Sequence, residues 1–143
     1  METDDRLIYQ VFMAQQKLRT YLKDALEIEG VRVTTAHAGI LFLLKQKDGQ
    51  SMTELSQVLS IDNSTITRLI DRLEKSGFVS RNASTSDRRM FRIYITHQGV
   101  EESNRAKTVI KRVNEEIKSG FSQEDIEIFK RILKSFLEKF NKV

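Results

Sequence analysis

Residues 51–99 read SMTELSQVLSIDNSTITRLIDRLEKSGFVSRNASTSDRRMFRIYITHQG. Two short amphipathic helices, a glycine stop, a strand, a polar loop, a second strand and a new helix start follow one another there. Ser51 opens the first helix, and Glu54 three residues on gives capping-box spacing. Met52, Leu55, Val58 and Leu59 form its inner face. Ser60 to Asn63 is a break, and Asp62 or Asn63 caps the next helix. That helix turns Ile66, Leu69, Ile70 and Leu73 inward and stops at Gly77. Phe78 to Arg81 reads as a strand and Asn82 to Asp87 as a turn-forming loop. Arg89 to Ile95 reads as a half-buried strand, with Phe91, Ile93 and Ile95 on one face and Arg92 and Tyr94 on the other. The order is a helix-turn-helix followed by a hairpin wing, in a mainly α fold.

The second of these helices carries Ser64, Thr65, Thr67 and Arg68 on its outer side. Small polar side chains let a helix backbone approach base edges, and an arginine there reaches a guanine in a major groove. The helix N-terminus also favours a phosphate. Read alone, the same residues describe a well-capped, solvated helix face. The loop that follows holds Asp87, Arg88 and Arg89. A carboxylate beside two arginines weakens phosphate binding unless it orients one guanidinium while the other is inserted. Read alone, that loop is an exposed charged turn; directly after a helix-turn-helix it reads as a wing tip.

Outside this centre the chain is helical. Leu7, Val11, Ala14, Leu18, Leu22 and Leu26 recur at helical spacing from Asp4 to Ile28, and Gly30 ends that helix. Thr34 caps a second helix that is apolar nearly all round, which predicts burial on more than one side. Thr96 caps a long helix through Val100, Val109, Ile110, Val113 and Ile117, broken by Gly120. Ser122 then caps a last helix. The organisation expected is an N-terminal dimerisation helix over 1–32, a winged helix-turn-helix DNA-binding lobe over 33–96 and C-terminal dimerisation helices over 97–143. The terminal helices carry too much apolar surface to stand alone in water. Leu7 and Val11 at one end, with Phe129, Leu133, Phe136 and Phe140 at the other, are the residues expected to pack against a second copy.

Composition narrows the function. The 143 residues contain 24 Lys and Arg against 20 Asp and Glu, a formal charge of +4 that is compatible with a nucleic-acid partner. There is no cysteine, so disulfides, thiolate metal sites and thiol redox switches are excluded. Two histidines, His37 and His97, make a dedicated zinc site improbable, and neither a metal nor a cofactor is expected. No apolar run is long enough to span a membrane and no signal-peptide pattern opens the chain, so a soluble cytoplasmic protein is expected. No nucleophile elbow, glycine-rich phosphate loop or His-Glu-x-x-His motif is present, and no enzyme is expected.

Three segments carry a family resemblance. They are Thr53 to Ser56, Asn63 to Val79, and the wing from Ser86-Asp87-Arg88-Arg89 to Arg92-Ile93-Tyr94-Ile95-Thr96-His97-Gln98-Gly99. Together they resemble the MarR family of bacterial winged-helix regulators, with a wing similar to the SlyA-type branch. The likeness is strong over the central half, while the outer helices agree in length and order only. It implies a homodimer on a pseudo-palindromic operator in double-stranded DNA, usually as a repressor. It implies that Ser64, Thr65, Thr67 and Arg68 face the major groove. Arg88 or Arg89 would enter the minor groove, with Asp87 as the orienting carboxylate. Many members release DNA when a small anionic, often phenolic, ligand binds between the dimer helices and the DNA-binding lobe. Lys17, Arg19, Tyr21 and His37 lie on the right elements for such a pocket. Each also has a plain reading: Lys17 and Arg19 as solvated cations, Tyr21 as packing, His37 as a satisfied core histidine. The alternative function is a winged-helix protein-interaction module without DNA binding. It calls for aromatic or aliphatic residues where this helix carries Ser, Thr and Arg.

Overall fold

The computed structural model describes residues 6–83 and 90–141. Among them lie six helices and three short strands. The helices are α1 (Leu7–Ile28), α2 (Thr35–Gln46), α3 (Met52–Leu59), α4 (Asn63–Lys75), α5 (His97–Lys118) and α6 (Gln123–Lys139). The strands are β1 (Gln50–Ser51), β2 (Val79–Ala83) and β3 (Phe91–Ile95). This is the expected mainly α winged helix-turn-helix. Among the described residues no helix is long and apolar enough to cross a membrane.

Local chemistry sets the boundaries. Thr34, Ser51, Asp62 and Ser122 each cap a helix by accepting a backbone N–H from three residues on. At Ser51 the reciprocal half of the box differs from expectation. The Glu54 carboxylate lies 3.3 Å from the Ser51 hydroxyl, because Gln50 and Ser51 join the sheet as β1. α4 ends in a Schellman closure, with Phe78 N–H donating to Leu73 O at 2.9 Å and Gly77 N–H to Glu74 O at 3.0 Å. Gly77 takes the left-handed conformation this requires, at φ 83°.

The sheet is antiparallel in the order β1-β3-β2. β2 runs two residues past the predicted strand, because Asn82 and Ala83 find partners in Arg92 and Phe91. Ladder pairing overrides the turn preference of asparagine. The core of the winged lobe is aliphatic. Ile40, Leu41, Leu44, Leu55, Ile66, Ile70 and Ile93 are fully excluded from solvent. They come from α2, α3, α4 and β3, so the two helices of the helix-turn-helix and the wing share one packed interior.

The chain forms two compact units, one ending at Ile110 and the other beginning at Lys111. In the first unit α1 buries only Leu22, Ala25 and Leu26. Its N-terminal turns leave Leu7, Ile8, Val11 and Phe12 exposed. In the second unit α6 has no fully buried residue and exposes Phe129, Ile132, Leu133 and Leu137, with Phe140 exposed at its C-cap.

Candidate nucleic-acid interface

The face of α4 opposite the core begins at its cap. The Asp62 carboxylate accepts from Thr65 N–H and from the Ser64 hydroxyl, both at 2.7 Å. The Ser64 hydroxyl, the Thr65 amide and hydroxyl and the Arg68 charge hold Asp62 down to about 2. Ser64 and Arg68 stand one helical turn apart on the exposed side. Arg68 folds back along its own helix, with Nη2 3.4 Å from the Thr65 hydroxyl. Thr65 and Thr67 are half-buried at the edges of this face. The Thr67 hydroxyl lies 2.8 Å from Asn63 O and 3.8 Å from the Met52 sulfur, so it also steadies α4 against α3. The face is polar from Asn63 to Lys75, with Arg72 and Lys75 exposed further along.

The turn before α4 is tight. Ser60 is left-handed at φ 55°, and Ile61 N–H closes back to Ser56 O at 3.0 Å. A non-glycine residue in that region marks a constrained link, here one that sets the angle between α3 and α4.

The wing is pinned at its base by polar contacts. Ile95 N–H donates to the Asp48 carboxylate at 2.9 Å, and Arg92 Nη1 donates to Gly49 O at 2.8 Å. Thr96 donates its hydroxyl to Gly77 O at 2.6 Å and accepts Gly99 N–H at 3.1 Å, capping α5 while tying it to the end of α4. Gly99 is a close approach: a Cβ there would meet Phe78 O at 2.2 Å. Asp87, Arg88 and Arg89, the expected wing tip, lie outside the described residues.

Contacts between residues distant in sequence brace the lobe. Arg81 reaches from β2 to α4, bonding the Asp71 carboxylate and lying 3.8 Å from that of Glu74. By spacing alone, Asp71 and Glu74 are an ordinary charged helix face. A signal was present: strand alternation places Arg81 on the same side as buried Val79, and an inward-facing arginine needs a partner. Glu102 on α5 is fully buried. Its carboxylate accepts Arg32 N–H at 2.8 Å and an Arg105 guanidinium N–H at 3.0 Å. The Arg32 guanidinium sits 5.3 Å above the Phe78 ring.

A cleft of about 740 Å³ lies along one side of α1. Leu18, Leu22, Leu26, Val31, Val33 and Leu69 give it apolar walls, and Arg19, Lys23 and Arg32 supply cations. Of the four pocket candidates only Arg19 lines it. Helical geometry turns Lys17 and Tyr21 to other sides of α1. His37 is buried, with Nδ1 2.7 Å from the Thr34 hydroxyl and Nε2 lacking a partner among the described residues. Burial, and then the nearby Arg72 charge, push its pKa below the usual imidazole value.

Comparison with known proteins agrees with this architecture. The repressor CouR, solved bound to a 23-mer DNA duplex, superposes with a TM-score of 0.84 at 24% identity, over 93% of both chains. A mutant MarR from E. coli, solved with operator DNA, gives 0.82 at 23% identity, over 92% of this chain and 93% of that one. PcaV from Streptomyces coelicolor, solved with its natural ligand, gives 0.86 at 16% identity and 96% of both. At such identities the likeness establishes the fold. The MarR family model matches residues 33–91, which span α2, α3, α4 and the start of the wing. Through that winged helix-turn-helix, the chain is similar to the MarR family.

Proposed function

We propose that this protein is a dimeric, sequence-specific DNA-binding transcriptional regulator, acting as a repressor in the cytoplasm. The observation that carries the reading is the outward face of α4. An exposed helix N-terminus presents Ser64, Thr65 and Arg68 instead of apolar side chains, on a helix whose opposite face is locked in the core. Such a face suits base edges in a major groove, and it lacks the apolar anchors a protein-interaction surface uses. Thr67 belongs to the same contact set as an edge residue. Arg88 or Arg89, oriented by Asp87, would enter the minor groove beside it. The solved relatives bound to DNA support this reading, as does the family match.

Dimerisation follows from the apolar faces of α1 and α6. Leu7, Val11, Phe129, Leu133 and Phe140 are exposed, Phe136 is half-buried, and a second copy of the chain would cover them. The terminal regions, 1–32 and 97–143, serve this assembly, and 33–96 reads DNA. A C2 dimer places two α4 helices about one DNA turn, roughly 34 Å, apart. The cleft beside α1, with apolar walls and cations including Arg19, suits a small aromatic anion. A ligand that prefers a different helix spacing would release the DNA by its differential affinity for the two states.

The test is fluorescence anisotropy on duplex DNA from upstream of the protein's own gene and on DNA recovered by selection from a random pool. Tight, salt-sensitive, sequence-selective binding that Arg68→Ala and Arg88→Ala both weaken is the expected result. Absence of binding to every duplex at low salt would overturn the reading.

A further inference from the structure

The reading helix carries two carboxylates past its arginine. Asp71 and Glu74 are both exposed, on the helix that is to face a polyanion. Unmasked carboxylates there would repel phosphates and lower affinity for every sequence alike. Arg81 answers both. One of its terminal nitrogens, Nη2, bonds Asp71 and lies 3.8 Å from Glu74.

The arginine itself is withheld from solvent. Its side chain is 21% exposed, against 58% and 45% for its two partners, and its Nε is buried without a partner among the described residues. It also rises from the middle of the hairpin. Arg81 pairs across the ladder with Ile93, which is fully buried, and two further pairs separate it from the end of β2. The hairpin core fixes where this guanidinium sits.

We propose that Arg81 sets DNA affinity without touching DNA, by masking the carboxylates of Asp71 and Glu74 on the reading helix. The proposal rests on the DNA-binding reading above. Its signature is an affinity order dictated by net charge at the cluster. The native trio sums to −1, from two carboxylates and one guanidinium. Arg81→Met leaves −2, the triple variant Arg81→Met/Asp71→Asn/Glu74→Gln leaves zero, and Asp71→Asn/Glu74→Gln alone leaves +1.

The test measures these four proteins by anisotropy at low and moderate salt, on a selected duplex and on a scrambled one. Arg81→Met should weaken binding by about tenfold at low salt, equally on both duplexes. The triple variant should recover at least the unmodified affinity, and the double variant should bind tightest. Thermal melts of all four separate charge from folding, since the triple variant lacks the clamp as completely as Arg81→Met does. A direct phosphate contact by Arg81, or a purely structural one, leaves the triple variant below the unmodified affinity, and that result overturns the proposal. Unchanged binding by Arg81→Met overturns it too. If the unmodified protein binds no duplex, the DNA-binding reading falls and this proposal falls with it; if it binds but the charge order fails, only the mask is lost.

Discussion

Gly99→Ala is a substitution that ordinary helix energetics would call favourable. Gly99 sits in the first turn of α5 and is absent from the left-handed glycines, so alanine there should gain about 0.5–1 kcal/mol from reduced backbone entropy alone. The surroundings reverse the sign. An alanine Cβ would lie 2.2 Å from the Phe78 carbonyl oxygen and 2.8 Å from Ile95 Cγ1. Contact is optimal near about 3.5 Å, so the start of α5 must withdraw by about 1 Å from the end of α4. The Phe78 carbonyl cannot give way freely, because it accepts Thr96 N–H at 3.0 Å. The Thr96 hydroxyl holds Gly77 O at 2.6 Å beside it. Overpacking costs about 1–3 kcal/mol and weakening one of these bonds adds about 1 kcal/mol, so less the entropic gain the net loss is roughly 1–3.5 kcal/mol. For a chain of this length that is a melting temperature lower by about 3–10 °C. Urea unfolding at fixed protein concentration, with melting by circular dichroism alongside, reads the change. Gly120→Ala is the control. Its Cβ meets nothing within 4 Å but its φ is 87°, so it carries only the left-handed cost of about 1–2 kcal/mol. A Gly99→Ala protein that melts at or above the parent would refute the steric account.

Arg68→Ala should cost about 1–3 kcal/mol on the preferred operator and relax base choice where that side chain reads; unchanged selectivity in a competition titration would remove Arg68 from the reading set. Replacing Phe129 and Phe136 by glutamate should yield a monomer by light scattering, with operator binding lost alongside; a monomer in the unmodified protein would sink the dimer. The Asp62 cap has a pH signature. Its pKa is lowered from 3.8 to about 2, so its contribution to stability is fully present above the unfolded value and disappears as pH falls through about 2. Asp62→Asn keeps a capping oxygen without the titration, so its acid unfolding curve should be flatter between about pH 4 and pH 2. Identical acid limbs would show that the native ensemble does not hold this cap.

Much of the architecture was legible because the relevant signals are local. Thr34, Ser51, Asp62, Thr96 and Ser122 announce helix starts by side-chain chemistry acting within three residues. The inner face of α4 follows from period 3.6 alone. What escaped is non-local. β1 is two residues long and exists only because Gln50 and Ser51 meet Ile93 and Arg92 more than forty positions on. Nothing in the pair Glu101-Glu102 separates the exposed residue from the buried one, since the partner of Glu102 is a backbone group seventy residues earlier. The cleft shows the same division. Position along α1 was readable, but only Arg19 of the candidates takes a place in its lining.

The bond between Glu102 and Arg32 is lopsided in a way that shapes how this protein can change over generations. The buried carboxylate grips the main-chain N–H of Arg32, a group that nineteen of the twenty amino acids supply alike. The cation above Phe78 is the only part of that contact that depends on the side chain, and its loss is a graded cost of about 0.5–1 kcal/mol. Proline at 32 is different in kind, because it deletes the donor and leaves the buried carboxylate one bond short, with Arg105 its remaining partner. At 102 nearly every replacement does the same from the other side. One end of the bond can drift while the other stays fixed, so a library randomised at both positions and sorted for folded protein should lose proline at 32 and keep little but glutamate and glutamine at 102.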